Sequence, residues 1–377
     1  MIKDESLYIA GPLCFYKNGY GMWDALKKEA EFYGFTVALP NNNVLEYEEG
    51  NKRQFSAAIF KNCRDSINKT TCLIVNLENY RGLVPDGGSV YEMGMAYAKG
   101  AKLYGCTRDK RPARMKYGHG KYVGNDIIDL DGRKLAHKDL AFGPCIVGST
   151  KIVEGKFGDA LQMFMTDIEE DSKLKASRNV FVLDADPQVT VEPSDKPRVY
   201  LSTFERYDND AKEKLESMKK ICEKYGFIGI SPLDDAPMVE RINSDDVMAM
   251  AYNQFDHFQQ HVRNCDIILA NLNNYHGYEP NDDVSFECGM AFQLGKKCFG
   301  YLDEVKPMID LVPNRGEAFE YRDLNDMKVE NFANPLHLMF GASCTLFEGK
   351  FEEAIKQMAE ALVDFKLADD LVPPVLD

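Results

Sequence analysis

CLIVNLENYRGLVPDGGSVYEMGMAYA, residues 72–98, contains the strand, loop and helix from which the rest of the chain is read. Its apolar start predicts a buried strand. A turn-rich loop follows, and Asp86-Gly87-Gly88-Ser89 leads into the first turn of a helix that carries Glu92. Open α/β folds bind their ligands just beyond the carboxyl ends of parallel strands, so Asp86 and Glu92 form a carboxylate pair well placed for chemistry.

The stretch recurs. NLNNYHGYEPNDDVSFECGMAF, residues 271–292, matches residues 76–97 at ten of the 22 paired positions, among them Gly82/Gly277, Pro85/Pro280, Glu92/Glu287 and Gly94/Gly289. LYIA (7–10) pairs with VYLS (199–202), EFYGFTVALP (31–40) with EKYGFIGISP (223–232), and VEGKFGDAL (153–161) with FEGKFEEAI (347–355). The period lies far above the roughly 20–50 residues of solenoid repeats, so the chain reads as two copies of one domain.

Within the first copy, strands are expected at 7–10, 35–39, 72–76 and 102–106. Helices are expected at 22–33, 56–67 and 157–168, the first ending at Gly34. Strands alternating with helices predict an α/β class, here two tandem doubly wound, flavodoxin- or Rossmann-like parallel-sheet domains. We place the first domain at 1–170, a linker at 171–197 and the second domain at 198–377. Residues 107–139 and 306–332 read as irregular excursions, and VFVL (180–183) as a strand within the linker.

The formal charge of −15, from 60 acidic and 45 basic residues, and a single dense basic run, RDKRPARMK (108–116), argue against nucleic acid as a partner. That run reads as a solvated face. No apolar stretch long enough for a membrane span or a signal peptide is seen, which predicts a cytoplasmic protein. The ten cysteines show no metal-ligand spacing and several lie in apolar runs, so they read as buried reduced thiols.

Retaining glycosyl transfer needs two carboxyl groups near one anomeric carbon, and Asp86 and Glu92 meet that need. The helix N-terminus near Ser89 is expected to keep the neighbouring carboxylate ionised. A competing reading makes Ser89-Val90-Tyr91-Glu92 a capping box in which Glu92 does no chemistry. In the second copy Val284 replaces Ser89 while Glu287 remains, which weighs towards function.

LYIAGPLCF (7–15) and VPDGGSVYEMGMAYAKG (84–100) resemble the nucleoside 2-deoxyribosyltransferases, with a Tyr-x-Ala-Gly-Pro-Leu-Phe-like start and an Asp-x-Gly-Thr/Ser-x-x-Glu loop. The resemblance covers nearly all of the first copy. It implies transfer of a 2-deoxyribosyl group between nucleobases through a covalent sugar–glutamate intermediate, in nucleoside salvage, without a metal or organic cofactor. It makes Glu92 the nucleophile, Asp86 the orienting partner and Tyr8 the hydrogen-bond donor to the nucleophile. By the same resemblance Gly11 and Pro12 shape the pocket wall, Phe15 stacks on the base, and Gly88 and Ser89 belong to the substrate loop. Asn76 stands where many members have Asp, which puts base preference in question.

The second copy reads Asn281-Asp282-Asp283-Val284 where the first has Asp86-Gly87-Gly88-Ser89, and lacks Gly-Pro after its first strand. We read its pocket as non-catalytic. Family members borrow an Asn from a neighbouring subunit, and Asn334-Pro335-Leu336-His337-Leu338-Met339 resembles that segment. The expectation is an internal pseudo-dimer, open to further homo-oligomerisation, with one working site completed by Asn334. The small-molecule partners would be nucleosides and nucleobases. The alternatives are an N-glycosidic hydrolase of deoxynucleosides or deoxynucleotides, and a non-catalytic binder of nucleoside derivatives.

Overall fold

The computed structural model describes residues 4–39, 44–117, 120–129, 132–177, 194–237, 239–317 and 320–366. The first copy runs β1 (Ser6–Ala10), α1 (Gly19–Phe32), β2 (Thr36–Ala38), α2 (Lys52–Asn68), β3 (Cys72–Asn76), α3 (Gly87–Ala98) and β4 (Lys102–Thr107). Then come α4 (Ala113–Lys116), β5 (Lys121–Val123), β6 (Asp126–Ile128), α5 (Pro144–Ser149), β7 (Lys151–Glu154) and α6 (Phe157–Ser177). The second copy repeats the order with β8 (Arg198–Ser202), α7 (Ala211–Lys224), β9 (Ile228–Ile230), α8 (Val247–Asn264), β10 (Ile267–Asn271), α9 (Asp282–Gln293) and β11 (Lys297–Leu302). It closes with α10 (Met308–Leu311), β12 (Asn314–Glu317), β13 (Glu320–Asp323), α11 (Leu338–Ser343), β14 (Thr345–Glu348) and α12 (Phe351–Lys366).

Two five-stranded parallel sheets result, ordered β2-β1-β3-β4-β7 and β9-β8-β10-β11-β14. The expected doubly wound α/β architecture is therefore present twice. In each sheet the chain reverses its direction of travel beside the first strand, opening a crevice between β1 and β3 and another between β8 and β10. The loops leaving β1 and β3 meet there.

Side-chain alternation along the strands divides the core. Leu7, Ile9, Cys72 and Ile74 pack outward with Trp23 of α1 and Leu161 and Phe164 of α6. Tyr8, Ala10, Leu73 and Val75 face inward and join a core shared with the second copy, including Phe286, Met290 and Phe340. Helices α3 and α9 cross in the middle of this core. A Cβ on Gly94 would lie 2.0 Å from the Phe286 carbonyl oxygen, and one on Gly289 only 1.9 Å from that of Tyr91. A second close approach follows from the antiparallel bridge between Gly82 and Gly277.

Several expectations shift. Helix α1 ends near the expected Gly34, whose φ of +94° suits glycine, but α1 and α2 each begin several residues early. Helix α6 continues to Ser177, into the stretch read as linker, and the strand expected at 180–183 lies outside the described residues. The excursions are not peripheral. Each holds a two-stranded hairpin, and each reaches the loop of the other copy: Arg81 Nε donates to Asp323 Oδ2 (3.0 Å), and His276 Nδ1 lies 2.6 Å from Asp129 Oδ2. Nine of the ten cysteines are buried and Cys14 is half-buried; none is bridged. Among the described residues, no helix is long and apolar enough to cross a membrane.

Candidate active site

Glu92 lies one turn inside α3, 8 % exposed, with the Tyr8 hydroxyl donating to its Oε1 at 2.5 Å. Tyr8 itself is fully buried on β1, so the sheet fixes the donor and the helix fixes the acceptor. Burial pushes the Glu92 carboxyl up to about 8, with the Tyr8 hydrogen bond opposing and the Asp86 charge adding to the rise. Desolvation thus opposes the ionisation expected from the helix N-terminus.

The structure also decides the capping question. Helix α3 starts at Gly87 with Asp86 as its N-cap, so Glu92 lies beyond the first turn and cannot fold back on Ser89. Asp86 Oδ2 accepts from the Ser89 N–H (2.8 Å) and from the Ser89 hydroxyl (2.5 Å). Its other oxygen, Oδ1, is buried without a hydrogen-bond partner among the described residues. Asn281 caps α9 in the same way, accepting from the Val284 N–H at 3.2 Å, so the loss of Ser89 in the second copy removed no cap.

Above these two acids lies a cavity of about 440 Å³. Its lining combines Gly11, Asp86, Gly88, Ser89 and Glu92 with the aromatic side chains of Phe15, Tyr20, Trp23, Phe55 and Phe332. Such a mixed lining suits a ligand with one hydroxylated and one flat, aromatic part. The Trp23 indole N–H is buried without a partner at this wall, a donor that the sequence reading took only as part of a helix face.

Two expected contacts do not reach the cavity. Asn76 lies behind Gly11, where a glycine Cβ would be 3.0 Å from the Asn76 Cβ, and its Oδ1 accepts from the Glu78 N–H at 2.9 Å. Pro12 is buried in the helical turn of residues 12–15 and acts on the pocket only through its neighbours.

The second copy does contribute, though not through Asn334. The left-handed backbone of Ala333 (φ +60°) turns the Asn334 side chain against Gly341 and to within 3.5 Å of the Ser56 hydroxyl, away from the cavity. In its stead, His337 and Glu330 line the wall. The His337 ring lies so close over Gly88 that a Cβ there would meet it at 2.1 Å, and it stands edge-on to Phe15 with centroids 5.7 Å apart. One signal was available: aligned through β7 and β14, Glu330 and His337 stand where the first copy has Ala136 and Gly143. Among the described residues, no cluster of three or more His, Cys, Asp or Glu side chains is arranged to hold a metal ion.

The corresponding position in the second copy is filled. Both Glu287 oxygens accept from Arg206, whose Nη1 and Nη2 each lie at 2.6 Å, while Tyr200 (2.7 Å) and Ser202 (2.5 Å) donate as well. Arg206 takes the place of Cys14, counted along from the paired strands β1 and β8. Asp283 takes the place of Gly88 and accepts from the Tyr207 hydroxyl (2.5 Å) and the Cys145 N–H (2.7 Å). Gly143 leaves room for it, since a Cβ there would meet the Asp283 carboxylate at 2.5 Å.

Comparison with known proteins adds to this geometry. The family model described as nucleoside 2-deoxyribosyltransferase matches residues 7–151 and again 199–339. No curated protein matches. Among solved structures, a 2-desoxiribosyltransferase from Leishmania mexicana is 21% identical over 44% of this chain and 97% of its own, with a TM-score of 0.34. The glycosyltransferase SnogD from Streptomyces nogalater is 8% identical over 79% of this chain and 81% of its own, with a TM-score of 0.20. The two family-model matches span the first four strands of each sheet, β1 to β4 and β8 to β11. The chain belongs to the nucleoside 2-deoxyribosyltransferase family and holds two family units in tandem.

Proposed function

We propose that the first copy transfers a 2-deoxyribosyl group from one nucleobase to another by double displacement on Glu92. The base lies among the aromatic side chains and the sugar on Asp86 and Glu92. Glu92 acts in its ionised form: a carboxylate oxygen attacks the anomeric carbon as the N-glycosidic bond breaks, and the electron pair of that bond leaves with the base. The positive charge that develops on the sugar stabilises the Glu92 carboxylate that burial alone disfavours. A second base then displaces Glu92 and takes the sugar.

One observation carries this reading: Glu92 lines the cavity with one oxygen held by Tyr8, and nearby Asp86 Oδ1 is without a partner among the described residues. An unpaired buried carboxylate oxygen is costly unless a ligand satisfies it, and a sugar hydroxyl is a fitting donor. The second copy, whose Glu287 is already paired with a buried arginine, is assigned a non-catalytic role.

The test is incubation with a 2′-deoxynucleoside and a different free base, followed by intact-mass measurement. Exchange of bases and a deoxyribosyl adduct on Glu92, both absent from Glu92→Ala, are expected. Release of base without exchange points to a hydrolase, and no change in the nucleoside removes the reading.

A further inference from the structure

Resting on the proposed transfer, one need has no group assigned to it: a departing base accepts the electron pair of the broken C–N bond and leaves far more easily if protonated. Glu92 is committed as nucleophile. Asp86 is committed through Oδ2 to Ser89, and Asn76 cannot act as an acid and faces away.

Glu330 is a buried carboxyl that lines the same cavity from the second copy. Its Oε2 accepts from the Leu338 N–H at 2.8 Å, and its Oε1 lies 3.6 Å from His337 Nε2. His337 Nδ1 accepts from the Met339 N–H at 3.2 Å, so the imidazole proton sits on Nε2, the nitrogen nearest Glu330. The segment is held beside Phe15 by the Lys328 N–H, which donates to the Phe15 carbonyl at 2.8 Å. His337 lies over Gly88 and stands edge-on to Phe15. His337 thus bridges the loop that carries Asp86 and the Phe15 ring, and Glu330 lines the same cavity beside it. Burial draws the Glu330 carboxyl above its ordinary range, so it retains a proton to higher pH than an exposed glutamate.

The two copies differ here in a telling way. Ala136 and Gly143 occupy the equivalent positions in the first copy, so no such pair is presented to the second-copy pocket, whose carboxylate is already locked.

We propose that Glu330 is the general acid–base of the first-copy site, with His337 as the positioning residue that holds it. In the first step the Glu330 O–H bond breaks, its proton goes to a ring nitrogen of the leaving base, and a Glu330 carboxylate remains facing the His337 N–H. In the second step that carboxylate takes the N–H proton of the incoming base as its nitrogen attacks the sugar.

The test compares the full chain with Glu330→Gln on two donors, a 2′-deoxynucleoside and a 4-nitrophenyl 2-deoxyriboside whose leaving group needs no proton. The variant should lose about 10²–10⁴-fold in kcat on the nucleoside and less than about threefold on the activated donor. In the unmodified chain, kcat/KM should show a falling alkaline limb with the nucleoside and none with the activated donor, a reading independent of how the variant folds. His337→Asn should shift that limb, whereas a merely structural histidine leaves it in place. Equal losses on both donors, no loss on either, or identical alkaline limbs overturn the assignment of Glu330 while leaving the transferase reading intact. A parent chain inactive on both donors overturns both.

Discussion

In the folded chain the Glu92 carboxyl holds its proton to higher pH than an exposed glutamate, because its carboxylate is buried with a second acid, Asp86, nearby. Its folded value of about 8 lies above the ordinary 4.5. Folding is therefore indifferent to it below about pH 4.5, and an opposing contribution grows as pH rises and is complete above about pH 8. The full cost is about 3–6 kcal/mol. Urea midpoints at pH 5 and pH 9 should accordingly differ less in Glu92→Gln than in the parent, with the variant the more stable at pH 9 and without turnover. A variant no more stable at pH 9 would show that the site does not oppose folding.

The neighbouring position separates structure from chemistry. In Asp86→Asn the side-chain oxygen still caps Ser89, so stability should change by less than about 1 kcal/mol. The amide then offers a donor where Oδ1 offered an acceptor, and kcat/KM should fall about 10²-fold. Equal melting temperatures with unequal steady-state rates are the expected result.

At the scale of elements, α3 serves two ends: its first turns carry the carboxylates, and its middle forms the crossing with α9. Gly94 and Gly289 permit that crossing, since a methyl at either would strike a backbone carbonyl of the opposite helix. Gly94→Ala should cost at least about 1–3 kcal/mol by denaturant titration, through overpacking. It should also lower kcat, because any shift of α3 moves Glu92 relative to Tyr8. Unaltered stability would mean that the helices part more readily than their packing indicates.

At the scale of the molecule, the shared core and the exchanged hairpins couple the copies. Calorimetry should show one transition, with calorimetric and van't Hoff enthalpies equal; two separated transitions would contradict the shared core. The Arg206–Glu287 pair gives a second check. Arg206→Met leaves a buried carboxylate unpaired and should cost about 3–5 kcal/mol, whereas adding Glu287→Gln should recover much of it. Glu287→Gln alone should leave first-copy turnover unchanged, as expected of a pocket filled by its own side chains.

The sequence by itself determined the duplication and the α/β class, and it singled out Asp86 and Glu92 as the acids proposed for the first site. Those depend on local patterns: apolar strands broken by turns, a loop entering a helix, and a motif repeated along the chain. Only the tertiary structure decided which side chains complete the site. Asp86 proved to be the cap because capping follows from where the backbone turns helical, which the S-x-x-E spacing left open. Asn334 turned away because Ala333 adopts a left-handed conformation. Glu330, His337 and Arg206 gain meaning only from folding: His337 meets Gly88 and Phe15 more than two hundred positions away, and Arg206 meets Glu287 across 81, through two sheets and a helix crossing that no local pattern encodes.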